Sequence, residues 1–238
     1  MKTRSYFHLK KSNQFEIKEL FKDFSQKIKE HFNGRTENLN ILDIGCASGE
    51  LLYFLKKDLN TGGKMWGFDI SAELIKNAYE RFGGSGIHFF TDDAGNFSFD
   101  SKFDVIIMSS VLSYFDDPYP ILKNLLNHLS DGGLILISGI FNNYNIDVRL
   151  RYKMDSEREW DKGAVINQFS KKSIGEFLEK AGYQYKFSTQ IMPFDIAPKE
   201  FLLRSWTVKV GGERWLTNGL QLLYNIQILE ISGKQSKL

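Results

Sequence analysis

Cysteine, net charge and long apolar runs are all scarce in this chain, and each scarcity removes a class of function. Among 238 residues there is one cysteine, Cys46, so no disulfide can close within the chain and no cysteine cluster can hold a metal. The four histidines, His8, His31, His88 and His128, are scattered. No two have metal-ligand spacing on one element, so no metal site is expected. The formal net charge is only +2. Acids and bases alternate, as in EIKELFKDFSQKIKE (16–30), which reads as a solvated helix face and not as the one-sided basic patch of a nucleic-acid binder. No stretch approaches the roughly 18 apolar residues of a membrane span. The start, MKTRSYFHLKKSNQF, has no continuous apolar core, so a reducing, cytoplasmic compartment is the expectation.

What is present is an alternation. Apolar residues at helical spacing predict an N-terminal helix within 13–32, ended by Asn33-Gly34. Short apolar strands then alternate with amphipathic helices: strands at 39–44, 64–68, 86–90, 103–108 and 134–140, and helices at 48–59, 71–82 and 118–129. Ser71 is placed to cap one helix, and Asp117-Pro118 to open another. Near-continuous apolar strands alternating with helices predict a parallel sheet covered on both faces. Past residue 140 the rhythm changes. Residues 141–167 are polar, aromatic and charge-rich, a segment of undefined structure. A helix at 170–181 closed by Gly182, a strand at 183–191, a hairpin around Gly211-Gly212 and a final strand at 220–231 complete the reading. There is no internal repeat, low-complexity tract or linker, so residues 1–238 are read as a single domain.

The informative turn is ILDIGCASGE (41–50). In a doubly wound sheet, ligands lie outside the carboxyl ends of the strands, where this turn falls. Gly45 and Gly49 permit positive φ and close approach of backbone to a ligand. The turn is not a dinucleotide fingerprint, because its second glycine position is Ala47 and the third glycine is also missing. It is not a phosphate-binding P-loop either, since no G-K-[ST] follows. Asp43, two residues before Gly45, is unfavourable beside a pyrophosphate but useful beside a cation or an amine.

At this point the chain resembles the class I S-adenosylmethionine-dependent methyltransferases. LDIGCASGE matches the family's first motif, with Ser48 near a position often held by glycine. WGFDIS puts Asp69 at the end of the second strand, 24 residues after Gly45. TDDAGNFSF, FDVIIMSSVLSYFDDP and LSDGGLILISG resemble the third, fourth and fifth motifs in order. The resemblance implies a Rossmann-like, doubly wound, seven-stranded, mostly parallel sheet with an antiparallel C-terminal edge strand. It implies S-adenosylmethionine as methyl donor and S-adenosylhomocysteine as product. It assigns Asp43, Gly45, Cys46, Ala47 and Gly49 to the methionyl part and Asp69, followed by Ile70, to the ribose. Asp93-Ala94 goes to the adenine, with Asp92 as the alternate register, and Ser109 and Ser110 line the pocket. Regions follow: 1–35 as lid and helix, 36–140 as cofactor-binding core, 141–168 as acceptor-side insertion, and 169–238 as C-terminal helix, edge strands and hairpin.

The acceptor is less legible. Tyr114 stands where the family often has His and is a candidate catalytic or acceptor-binding residue, with core packing an equal alternative. His8 is a second catalytic candidate, and Tyr6 an acceptor-binding one, because the family often folds this segment over the cofactor. Asn142 and Asn143, with Tyr144, follow the fifth strand and could line an acceptor pocket or simply form turns. Arg149, Arg151 and Lys153 could meet a phosphorylated acceptor or form a solvated face. The tail RSWTVKVGGERWLTNGL resembles methyltransferases of bacterial surface-polysaccharide pathways, which implies an oxygen of a sugar or sugar-nucleotide-like small molecule. The alternatives are N-methylation of a small amine and a non-catalytic cofactor-binding module acting through a partner. An NAD-dependent enzyme is disfavoured by the missing glycines.

Overall fold

The computed structural model describes residues 17–154, 160, 164–198 and 203–233. Helix α1 (Glu19–His31) precedes β1 (Ile41–Ile44), α2 (Glu50–Asp58), β2 (Met65–Asp69), α3 (Ala72–Phe82), β3 (Ile87–Thr91), β4 (Phe103–Ser109), α4 (Tyr119–Asn127) and β5 (Leu129–Gly139). Then come β6 (Val148–Tyr152), β7 (Ala164–Gln168), α5 (Lys171–Ala181), β8 (Gln184–Thr189), β9 (Trp206–Val210), β10 (Glu213–Thr217) and β11 (Gln227–Ser232).

Seven strands form one sheet in the order β3-β2-β1-β4-β5-β11-β8. The first five are mutually parallel, whereas β11 is antiparallel to both neighbours. The C-terminal strand is antiparallel, as read from sequence, and is inserted one place in from the edge, between β5 and β8. The switch in strand order falls between β1 and β4, and that is where the turn after β1 lies.

Two cores explain the apolar strands. Alternate residues Ile41, Met65, Val105, Ile107, Leu134 and Leu136 face α1, α2 and α3, including Phe24, Ile28, Leu55 and Phe82. The intervening residues Leu42, Ile44, Phe68, Ile106, Ile135 and Ile137 face α4 and α5, including Leu122, Leu125, Ile174 and Leu178. Both faces of the central strands β1, β4 and β5 are thus buried, and period-2 patterning there disappears into a continuous apolar run.

Local chemistry sets the boundaries. Ser71 Oγ accepts the Leu74 N–H at the start of α3. Pro118 is the cap residue of α4, one place earlier than its expected first helical position, and Asp117 Oδ1 accepts the Tyr119 N–H. Gly182 closes α5 in left-handed geometry. The β9–β10 hairpin turns on Gly211 and Gly212, both at positive φ, the geometry of a two-residue type I′ turn. Two segments depart from expectation. The undefined region after β5 contains an antiparallel ribbon, β6–β7. The expected final strand at 220–231 is regular only from Gln227, because Tyr224 pairs instead with Leu216 and draws the preceding chain into a small third core with Met192.

Helix α1 runs against the parallel strands. His31, at its C-terminal end, bonds the Gly132 carbonyl near the start of β5, while Asp23 bonds Gln190 just past the end of β8. The helix therefore begins at the ligand-side rim. Ser170 is the structural pin on the other face: its hydroxyl accepts from Lys172 and Ser173 N–H, and its own N–H donates to Asp147 Oδ1. Ser170→Ala should lower the unfolding free energy by ~1–2 kcal/mol in a urea titration, without changing the fold by circular dichroism.

Candidate functional site

The turn between β1 and α2 is held from three sides. Gly45 and Cys46 both donate to the Phe68 carbonyl of β2, at 2.8 and 2.9 Å, and Gly49 N–H donates to the Cys46 carbonyl. Gly45 and Gly49 have φ of +73° and +80°. A Cβ on Gly45 would collide with the Val111 side chain, and one on Gly49 would stand 2.7 Å from the Phe89 ring. Both glycines are therefore required by backbone conformation and by close packing together. Ala47 also sits at positive φ, 49°, a costly conformation for a residue with a Cβ. It is fixed there by Asp69: the Ala47 N–H donates to Asp69 Oδ2 at 3.1 Å, and Asp69 Oδ1 accepts the Ser71 N–H at 2.9 Å.

Asp43 is the unusual group. It shares the face of Ile41, beneath the turn, and is 2% exposed. Its Oδ1 is buried without a hydrogen-bond partner. Burial, and secondly the negative charge of Asp69, push its carboxyl up to about 8. A buried acceptor left unpaired costs ~1–3 kcal/mol, so this position is unfavourable unless something supplies a donor. Cys46 is also buried, and a Cβ on Gly67 would stand 2.9 Å from its sulfur. Burial, then the charges of Asp43 and Asp69, push its thiol well above the usual range. It is a small, protonated packing residue rather than a nucleophile.

Three chemical capacities meet at this end of the sheet. Asp43 Oδ1 lacks a donor. Asp69 uses two of a carboxylate's roughly four acceptor positions, so it can still take hydroxyl donors. Helix α2 opens at Gly49 with no side-chain cap, and first-turn N–H groups favour an anion. An ammonium, a diol and a carboxylate are the groups that fit these capacities, and S-adenosylmethionine carries all three.

The other expected residues are distributed around the same rim. Ile70 is exposed, immediately after Asp69. Asp92 N–H donates to the Asp69 carbonyl, Asp93 Oδ1 accepts the Gly95 N–H, and Ala94 packs partly buried against the α4–α5 core. Ser109 Oγ lies 3.0 Å from Ser138 Oγ at the ends of β4 and β5, and Ser110 sits at φ 59°. Tyr114 ends the 3-10 turn Leu112–Tyr114 and is 46% exposed, which removes the core-packing alternative.

Asn142 does not present a free amide. Its Nδ2 donates to the Ile146 carbonyl and its Oδ1 accepts the Tyr144 N–H, so it builds the loop that Asn143 and Tyr144 expose. Arg149 is paired with Asp116 at 2.8 Å, and Asn167 Nδ2 donates to the Phe115 carbonyl. These two contacts hold the β6–β7 ribbon beside the turn that carries Tyr114. Tyr6 and His8 lie outside the described residues. His128 is a core histidine, bonded to Asn124 and to the Phe99 N–H. Sequence reasoning missed Val111, whose side chain closes over Gly45, and the Asp69–Ala47 bond; the only local signal was a carboxylate two residues ahead of a helix cap.

The burial of Asp43 has a measurable consequence. A carboxyl raised from its ordinary value to about 8 is protonated in the native state where the unfolded chain has already lost the proton. Stability without ligand therefore falls as pH rises between about 4 and 8, by up to ~1.4 kcal/mol per pH unit from this group. Asp43→Asn should flatten that part of the profile in denaturant titrations and make the ligand-free protein more stable at pH 8.

Comparison with known proteins bears on the family and the fold. The family model described as "Methyltransferase domain" matches residues 14–186. A malonyl-[acyl-carrier protein] O-methyltransferase of Ilyobacter polytropus is 28% identical over 131 residues, 54% of this chain and 48% of that protein. A tRNA U34 carboxymethyltransferase of Nautilia profundicola is 32% identical over 143 residues, 52% of this chain and 43% of that one. The chain thus spans about half the length of these curated relatives. Among solved structures, an S-adenosylmethionine-dependent methyltransferase from Clostridium acetobutylicum superposes with a TM-score of 0.61 at 14% identity, covering 90% of this chain and 92% of that one, and so shares the fold. With the family model spanning more than half of its residues, this chain belongs to the class I S-adenosylmethionine-dependent methyltransferases.

Proposed function

We propose that the chain transfers the methyl group of S-adenosylmethionine to an oxygen of a small hydroxylated molecule, a sugar or sugar-nucleotide-like compound, releasing S-adenosylhomocysteine. The observation that carries the donor half is the buried Asp43 oxygen with no partner beneath the two-glycine turn. In this reading Asp43 accepts from the donor's ammonium and the uncapped start of α2 receives its carboxylate. Asp69 accepts from the ribose hydroxyls, with Ile70 against the nucleoside. Asp93 and Ala94 border the adenine, and Ser109 lines the pocket beside Ser138.

The bound donor supplies an electrophilic methyl on a sulfonium. The protein's task is alignment of the acceptor in line with that methyl and exclusion of water. Tyr114, exposed on the turn after β4, is placed to contact the acceptor. The β6–β7 ribbon within 141–168 forms the wall on its far side, with Asn142 shaping the loop that presents Asn143. Tyr6 and His8 remain candidates for the same side, since α1 starts at this rim. The oxygen acceptor rests on the likeness of the 204–220 tail to surface-polysaccharide methyltransferases. N-methylation of a small amine uses the same donor site and is the second reading.

Methyl-labelled S-adenosylmethionine incubated with the protein and a fractionated cell extract should label a small hydroxylated compound at oxygen. Label found only on tRNA or protein would contradict the acceptor. Asp69→Ala should weaken donor binding by about 10- to 100-fold, the cost of losing hydrogen bonds to a charged group, as read by calorimetric titration.

A further inference from the structure

Four buried side-chain oxygens among the described residues lack a hydrogen-bond partner: Asp43 Oδ1, Gln190 Oε1, Asn225 Oδ1 and Gln227 Oε1. The first belongs to the donor site. The other three gather around one backbone hydrogen bond, from Gln190 N–H to the Ile226 carbonyl at 2.8 Å, because Asn225 and Gln227 flank Ile226. Gln190 and Gln227 are only 5% and 6% exposed. Native proteins leave few such groups unsatisfied, and three at one end of the β11–β8 ladder, with Gln190 and Gln227 on opposite faces, call for a ligand or bound water at the rim.

Their place in the sheet favours a ligand. Gln227 opens β11 directly opposite Gly139, which closes β5 at the rim. Side chains of directly opposed residues share a face, so the absent side chain of Gly139 leaves space beside Gln227. A Cβ there would meet only the Phe141 ring, at 3.8 Å. Phe141 packs edge-on against Phe187 and makes an apolar wall for this notch. On the opposite face Gln190 Nε2 donates to Asp23 Oδ2 at 2.6 Å. A carboxylate only accepts, so this contact fixes the amide with its oxygen turned away from α1. At about 4.8 Å per strand, β5 and β11 lie roughly 10 and 14 Å along the rim from the strand of Asp43. That is beyond the donor turn and on the side of Tyr114.

We propose that Gln227 and Gln190 determine acceptor specificity, each accepting a hydrogen bond from a hydroxyl of a neutral, polyhydroxylated acceptor that lies across the rim over Gly139. The inference rests on the small-molecule O-methylation reading and adds the class of molecule. Amide oxygens demand donors. At Gln190, whose amide orientation is fixed by Asp23, a carboxylate would set lone pair against lone pair and lose its hydration. Lys171 has its ammonium 5.4 Å over the Phe187 ring.

The test uses the full chain saturated with S-adenosylhomocysteine and ligand-observed NMR titration. The probes are the methyl glycosides of glucose, galactose, mannose and rhamnose, with glucuronate as the anionic counterpart. At least one neutral glycoside should bind. Its affinity should fall by about tenfold or more in Gln227→Met and in Gln190→Met, the loss expected when a donor–acceptor pair is broken in a buried site. Affinity for S-adenosylhomocysteine should be unchanged in both. Methionine matches glutamine in length and shape, and Gln190→Met, just past β8, and Gln227→Met, at the start of β11, are independent tests. The proposal is overturned if no neutral glycoside binds, if neither substitution weakens binding, or if glucuronate is preferred and Lys171→Met abolishes it. Failure of the underlying reading is visible separately, as wild-type protein that does not bind S-adenosylhomocysteine.

Discussion

A buried carboxyl group with one oxygen left unpaired is the constraint around which the rest of this site is arranged. Asp43 sits at the end of the central strand, 2% exposed, with one oxygen unpaired. Nothing in the packing of β1 requires an acid, and an apolar residue there would extend the core formed with Ile41 and Ile107. The position is unfavourable for folding and favourable for binding a cationic donor, against which the acid gives up its proton and gains the missing hydrogen bond. The strained elements nearby serve the same end. Ala47 is held at positive φ by Asp69, and Gly45 is pressed against Val111, so the shape of the turn is set by the protein's own contacts.

The sheet then divides the labour. Its parallel half, β3 to β4, carries the acids and glycines that the proposed reading gives to the donor. The half formed by β5, β11 and β8 ends in amides, aromatics and the small C-terminal core around Met192, Leu216 and Tyr224. Inserting β11 antiparallel between β5 and β8 brings its first residue, Gln227, to the rim, where a parallel strand would have brought its last. The donor side is built from short-range sequence, each acid within a few residues of its strand end. The proposed acceptor side would be assembled from residues 139–144, 189–192 and 224–227, far apart in the chain.

That difference explains what could be read from the sequence. The strand–helix alternation, the cap Ser71, the Gly182 terminus and the Gly211-Gly212 hairpin are local signals, and each was legible. Asp43, Asp69, Gly45 and Gly49 were legible because strand ends and turns are written in consecutive residues. The β6–β7 ribbon was not, since its pairing joins Val148 to Gln168 across a polar stretch with weak alternation. The start of β11 was misplaced because apolar residues 220–226 look like strand, yet they pack into the third core. Val111 over Gly45 and the orphaned Gln190 and Gln227 are tertiary facts, invisible to periodicity.

The measurement that bears most directly on the central claim is the proton count on donor binding. Calorimetric titrations of S-adenosylmethionine at pH 7, in buffers of differing ionisation enthalpy, report protons released per ligand bound. If Asp43 is protonated in the free protein and ionised against the donor's ammonium, about one proton is released, and Asp43→Asn removes that release. Binding with no proton release, or a release unchanged in Asp43→Asn, would contradict the account.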